Sequence, residues 1–327
     1  MEKIQILEYP ILITGGAGYI GSVVAKYLSD RGLKVIIYDN LSTGSEKAID
    51  DSFTFIKGDL FEKEKLIKTI KDYNIKSVMH FAAFSLVGES VENPYKYYQN
   101  NICGTLSLLD VMRKTQCKNI VFSSTAAVYG IPKEVPLKET SPLSPINPYG
   151  RSKLFMEEII KDFSQSYGIK YVIFRYFNAC GCYKDKGERH NPETHLIPNL
   201  FKAYYEKKNF YIFGSDYPTK DGTCIRDFID VIDLAKAHLK GLESIQDNPN
   251  QIYNLGTKKG YSIREILNIF KKVIGALPEI KEKERRRGDP PILIADYSKA
   301  EKNLNWKPEI TLEETLKNLN EWWKRYL

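Results

Sequence analysis

Short apolar runs alternate with amphipathic stretches through the first half of the chain. "ILIT" (11–14), "KVIIYDN" (34–40), "FTFIKGDL" (53–60), "SVMHFAAF" (77–84), "KNIVFSST" (118–125) and "KYVIFRYFN" (170–178) are short, rich in β-branched and aromatic residues, and closed by Gly, Asp, Ser or Asn. They read as strands apolar on both sides, the pattern of a parallel sheet covered on both faces. Between them, "SVVAKYLSDRG", "EKEKLIKTIKDYN" and "PYGRSKLFMEEIIKDFSQSYG" repeat apolar residues at helical spacing. Strands alternating with helices predict an α/β fold, with a doubly wound parallel sheet. The later sequence is built from shorter pieces, with helical patterns at "SIREILNIFKKVIG" and "TLEETLKNLNEWWKRYL". The division expected is residues 1–180 for the sheet domain and 181–327 for a smaller α/β substrate domain. Residues 228–256 return to the first, because "FIDVIDLAKAHLKGLES" resumes its pattern.

The first strand runs into "GGAGYIG" and then a helix. Gly15, Gly18 and Gly21 allow a tight turn, a close backbone approach to a pyrophosphate and close helix–strand packing, with the helix N-terminus facing the phosphates. Asp39 ends the second strand, 18 residues beyond Gly21. A carboxylate there accepts hydrogen bonds from an adenosine ribose and repels a 2′-phosphate, so NAD is favoured over NADP in a Rossmann-type sheet. Ligands in such sheets bind beyond the carboxyl ends of the strands. Those ends carry Gly15–Gly21, Asp39, Asp59, Phe81–Ala83, Ser123–Thr125 and Asn178.

In "NPYGRSK" a helix entered at Pro148 puts Tyr149 and Lys153 four positions apart, on one face. An ammonium beside a phenol favours the phenolate, as does a positive nicotinamide ring, and Thr125 ends the preceding strand. Alone, a Tyr–Lys pair on an amphipathic helix is an ordinary surface feature. Beside a dinucleotide turn it reads as a general base with its tuning partner.

These pieces resemble the extended short-chain dehydrogenase/reductase superfamily. Within it the sequence is similar, nearly end to end, to UDP-glucose (UDP-galactose) 4-epimerases. The likeness is carried by "TGGAGYIGS", "YDNLSTG", "SSTAAVYG", "NPYGRSK", "RYFNACG", "THLIP", "IFGSDYPTKDGTCIRDFI" and "RRRGDPP". The resemblance implies C4 epimerisation of UDP-glucose/UDP-galactose through a 4-keto sugar with tightly held NAD. Tyr149 and Thr125 would handle the proton, and Lys153 would bind the nicotinamide ribose. Gly15, Gly18, Tyr19, Ile20, Gly21, Asp39, Asn40, Asp59, Leu60, Phe81, Ala82, Ala83, Asn100, Ser123 and Phe177 would line NAD. Asn178, His195, Leu196, Tyr211, Phe213, Arg226, Arg286, Asp289 and Leu293 would line the UDP-sugar pocket. His195 would be a phosphate contact or a structural residue rather than a base. Arg226 and Arg286 suit a diphosphate, Asp289 the uridine ribose, and Tyr211 with Phe213 the uracil.

Departures from the family pattern fall at Ser85, where some epimerases have Lys, and at His195, where many have Asn. Related 4,6-dehydratases place Asp-Glu after the catalytic Thr; Ala126-Ala127 here cannot move a proton, which disfavours dehydration. Leu293, where glucose-restricted relatives carry Tyr, leaves UDP-GlcNAc/UDP-GalNAc open, and UDP-pentoses remain open too. A non-catalytic NAD-binding scaffold is the alternative of another class.

Composition adds little. A hydrophobic share of 43% with 27% charged residues is that of a globular chain. The net charge of +7 is spread along the sequence, and the dense run "KEKERRRG" mixes signs, so no nucleic-acid partner is expected. No apolar run approaches the roughly 20 residues that span a bilayer, and the N-terminal residues lack a signal-peptide pattern. The expected setting is the cytoplasm, with five scattered cysteines as free thiols. Cys180 and Cys182 have no second pair or nearby His cluster, so no metal site is expected. By family analogy the helices "PYKYYQNNICGTLSLLDVMRKT" and "GRSKLFMEEIIKDFSQSYG" would pair in a homodimer.

Overall fold

The computed structural model describes residues 6–190, 192–286 and 289–326; Arg287 and Gly288 of "RRRGDPP" lie outside them. Seven strands make one parallel sheet: β1 (Ile11–Thr14), β2 (Val35–Asp39), β3 (Thr54–Lys57), β4 (Ser77–His80), β5 (Asn119–Thr125), β6 (Lys170–Tyr176) and β7 (Gln251–Leu255). Their order is β7-β6-β5-β4-β1-β2-β3, the doubly wound arrangement with its switch between β1 and β4. In register, Thr14 lies beside His80 and Thr125 beside Tyr176, so the chemistry-bearing strand ends share one edge.

The apolar runs are explained by burial on both faces. Ile11 and Ile13 pack with Val24 and Leu28 of helix α1 (Tyr19–Ser29), whereas Leu12 packs with Leu66 of α2 (Lys63–Asp72) and Leu108 of α3 (Gly104–Lys114). Each such side chain contributes about 1.5–3 kcal/mol when withdrawn from water. Helix α4 (Pro148–Tyr167) covers the second face, its Met156 and Ile160 fully buried. Its start is written in the sequence: the Asn147 side chain caps it by accepting from Gly150 N at 2.8 Å, and Pro148 opens the first turn. Helix α5 (Val231–Ser244) covers the first face beside α1, and β7 then adds to the sheet against β6.

A second core gathers Leu200 and Phe201 of helix Leu196–Tyr205, Phe270 of helix Ile263–Ile274 and Trp322 of helix Leu312–Tyr326. Strands Phe210–Phe213 and Ile280–Lys283 pair beside it, and Ile225–Asp230 bridges to Asn178–Cys180. All five cysteines are unpaired thiols. No helix among the described residues is long and apolar enough to cross a membrane.

One buried polar network ties α4 to the sheet. Arg175, 1% exposed on β6, donates through Nη2 to Glu157 Oε2 at 2.6 Å and through Nε to Oε1 at 3.0 Å. Glu157 also accepts from the Ser124 hydroxyl, and Arg175 Nη1 reaches Tyr129 Oη at 3.0 Å. Removing one partner of a buried pair strands the other charge, so Glu157→Gln is expected to cost about 3–5 kcal/mol. Urea denaturation measures this; a midpoint equal to the parent's would show the pair to be dispensable.

Candidate active site

The carboxyl edge of the sheet opens into a cavity of about 590 Å³, in the range of small-molecule sites. Its cofactor end is made by the Gly-rich turn between β1 and α1. Gly15 has φ +74°, and a Cβ there would lie 2.5 Å from Ala82 N; a Cβ on Gly21 would lie 2.3 Å from Gly15 O. The two bare backbones let β1, the β4 end and the start of α1 meet, leaving the first amides of α1 facing the cavity. Asp39 lies at the wall, 8% exposed, accepting from Ala17 N at 3.0 Å and Leu41 N at 2.8 Å. Burial pushes its carboxyl up, opposed by those two amides. Asp59 accepts from Asn40 Nδ2 at 2.7 Å and from Phe61 N at 2.9 Å, which fixes the neighbouring rim. A cradle of bare backbone, a helix N-terminus and a ribose-facing carboxylate fit NAD.

Thr125, Tyr149 and Lys153 line the same cavity. The helix start at Asn147 turns Tyr149 inward, and a Cβ on Gly150 would meet Ala127 O at 2.6 Å, so α4 abuts the end of β5. Burial raises the Tyr149 phenol above its ordinary value, and its hydrogen bond with Thr125 draws it down. Lys153 is 3% exposed and donates to Ser123 O at 2.8 Å. Burial lowers its ammonium to about 7, with Glu157, one helical turn further on, opposing the fall. The expected depression of the phenol by Lys153 is not among the influences on it, which are burial and Thr125. Lys153 donates instead to a strand carbonyl, and burial holds its ammonium well below the ordinary value. Two flanking histidines stay neutral. His80 bridges Thr14 at 2.7 Å and Thr105 at 2.9 Å, and burial lowers it to about 3; His238, lowered to about 4, meets Tyr176 Oη at 2.5 Å.

Every residue assigned to the cofactor lines this cavity, as do Asn178, His195, Leu196, Arg226, Asp289 and Leu293. Arg226 Nη2 stands 3.6 Å from Asp289 Oδ1. Tyr211, Phe213 and Arg286 do not line it. Arg286 lies over the Phe213 ring at 4.0 Å, and Lys283 over Tyr211 at 3.9 Å. Ala126 and Ala127 stand at the wall where a dehydratase would need acids.

The structure also shows how the assigned Asn100 is placed, and brings in residues the sequence reading did not assign. Asn100 reaches the wall from a π-helical turn, Tyr98–Cys103, whose next residue Asn101 holds Phe84 N at 2.8 Å and Ser152 Oγ at 3.1 Å. Such turns recur at functional sites, and no short motif announces them. Lys96, paired with Glu89 at 2.5 Å, and Tyr97 also line the cavity. Glu188 and His190 do as well, beside His195, whose Nδ1 lies 2.5 Å from Glu188 Oε1. Burial opposes charge on His195, but Glu188 and Glu193 outweigh it and push the imidazole up to about 10.

Comparison with known proteins supplies the kinship. A UDP-glucose 4-epimerase of Lactobacillus helveticus is 48% identical over 303 residues, covering 91% of this chain and 92% of that protein. The chain belongs to the UDP-glucose 4-epimerase family. The wider family described as GDP-mannose 4,6 dehydratase matches residues 12–319. The crystal structure of the Brucella ovis epimerase in complex with NAD is 44% identical with a TM-score of 0.91, covering 94% of this chain and 96% of that one. The Bifidobacterium longum epimerase with NAD+ and UDP is 38% identical with a TM-score of 0.91, covering 97% and 98%. Epimerase kinship and Ala126-Ala127 together separate this chain from the dehydratases of the wider family.

The lowered Lys153 ammonium has a thermodynamic consequence. Between pH 7 and its unfolded value of about 10.4, the unfolded chain binds a proton that the folded one does not. Its destabilising contribution is complete below pH 7 and fades as pH rises. Relative to Lys153→Met, the parent protein is expected to gain stability from pH 7 to pH 10. Urea midpoints across that range test this, and parallel curves would refute it.

Proposed function

We propose that this protein is an NAD-dependent UDP-glucose 4-epimerase, interconverting UDP-glucose and UDP-galactose through a 4-keto sugar. The observation carrying the reading is Thr125, Tyr149 and Lys153 set in one cavity with the bare Gly15–Gly21 cradle and Asp39. The Gly-rich turn and α1 amides hold the pyrophosphate, Asp39 a ribose, and Lys153 the nicotinamide ribose. NAD, when bound, supplies the hydride acceptor and donor at C4. Tyr149 takes the C4 hydroxyl proton and returns it, while Thr125 holds the same oxygen in place. With its pair to Asp289 opened, Arg226 binds the diphosphate and Asp289 turns to the uridine ribose. Leu293 lines the cavity, and as a side chain smaller than Tyr it would leave room beside the sugar's C2.

The test is conversion of UDP-galactose to UDP-glucose by purified protein, followed by NMR at C4, with no NAD added. Loss of a positioned proton-transfer group costs about 10²–10⁴-fold, so Tyr149→Phe is expected to lose that much of kcat. No conversion by the parent even with NAD supplied would sink the glucose/galactose reading. UDP-GalNAc, the next substrate assayed, reports on the space at Leu293.

The protein works in the cytoplasm as a homodimer. Supporting this, Val91 (62% exposed), Tyr95 (75%), Leu106 (44%) and Phe155 (46%) lie on the helices from Val87 to Lys114 and on α4. Large exposed apolar side chains clustered on neighbouring helices mark an interface. Sedimentation is expected to give a dimer for the parent and a monomer for Leu106→Asp/Phe155→Asp; a dimer in both would place the contact elsewhere.

A further inference from the structure

The sequence reading expected no metal site, because no His cluster accompanies the cysteines. The folded chain does gather one, from residues on either side of Asn191. Glu188, His190, Glu193 and His195 each offer a ligand atom, and all four atoms lie within 4.8 Å of one another. We infer that these four residues form a binding site for one divalent transition metal, with zinc the best fit, in the wall of the cavity.

Three features of the cluster carry this. The first is charge. The carboxylates of Glu188 and Glu193 are only 6% and 7% exposed, and one divalent cation would balance both in place of the charge that His195 lends them. The second is direction. Both imidazoles turn Nδ1 to the same carboxylate oxygen, His190 at 2.9 Å and His195 at 2.5 Å from Glu188 Oε1. Yet His195 Nδ1 is buried and makes no aligned hydrogen bond despite that proximity. Two ring nitrogens converging on one carboxylate, one of them poorly aligned for a hydrogen bond, can turn to a metal that displaces the proton between them. The third is the support of the ligands. Glu193 Oε1 accepts from Thr194 N and His195 N, both at 2.7 Å, which fixes the carboxylate while its second oxygen stays available. Such outer hydrogen bonds are what orient metal ligands.

The donor set selects the metal class. Two imidazoles and two carboxylates suit zinc and its borderline neighbours, whereas magnesium and calcium prefer oxygen-only shells. Tetrahedral zinc with bonds of about 2.0–2.1 Å sets its ligands roughly 3.3 Å apart, so contacts of 2.5 and 2.9 Å need only open slightly. With four protein ligands the site is closed, and the metal is structural. It would staple the Glu188–His195 loop to the helix that begins at Leu196, at the cavity wall.

The experiment uses the full chain, stripped with chelator and dialysed against micromolar zinc. The expected result is one zinc per chain by elemental analysis and a rise in melting temperature. Cobalt is expected to give the visible d–d spectrum of a four-coordinate nitrogen–oxygen site without a thiolate charge-transfer band. His190→Ala and Glu193→Gln should each weaken zinc binding by at least about tenfold, the cost of disturbing even an outer partner. A thiolate band, equal binding by both variants, or no zinc with no thermal shift would each overturn the assignment. The cobalt spectrum is read on the parent protein, so it stands even where a variant folds poorly. None of these readouts depends on which sugar the protein converts.

Discussion

The functional edge depends on two carbon atoms that are absent. Were Gly15 and Gly21 to carry side chains, those atoms would sit 2.5 Å from Ala82 N and 2.3 Å from Gly15 O. Because they do not, the ends of β1 and β4 and the start of α1 meet backbone to backbone. The helix amides then face open space with Asp39 beside them. Apolar burial on both faces of the sheet supplies the stability that keeps these backbones so close.

Proton chemistry is set by what lies beneath that edge. Tyr149 lies half-buried beside Thr125 and is held above its ordinary value, so it stands as a neutral phenol. Lys153 is deprived of water, and Glu157 behind it restores part of its charge. Glu157 in turn is neutralised by Arg175. The buried salt bridge and the catalytic pair thus belong to one column of charge along α4, at successive helical turns. A positive ligand entering the cavity would pull that phenol down, in the same direction as Thr125.

Much of this was legible in the sequence. Strands apolar on both sides, the Gly-rich turn, Asp39 and "NPYG" each follow a local rule, and the structure builds the sheet and the start of α4 from them. The Tyr–Lys spacing gave the shared face but not where the ammonium points, because Ser123 O becomes a partner only when β5 lies under α4. Arg286 and Phe213 looked like separate ligand groups; packing stacks them on one another. The π-helical turn behind Asn100 and the Glu188–His195 cluster carry no short signature. Their residues are ordinary polar types, gathered by loop geometry that periodicity does not encode.

Helix α4 is anchored at three levels: its capped start at Asn147, Lys153 on β5, and Glu157 locked to Arg175 and Ser124. A base mounted so firmly has little freedom to follow a substrate. Inverting a stereocentre nevertheless requires both faces of one carbon to be presented to the same tool. The freedom must then belong to the guest: the ring turns over while the protein stands still, as work turns on a lathe beneath a fixed cutter.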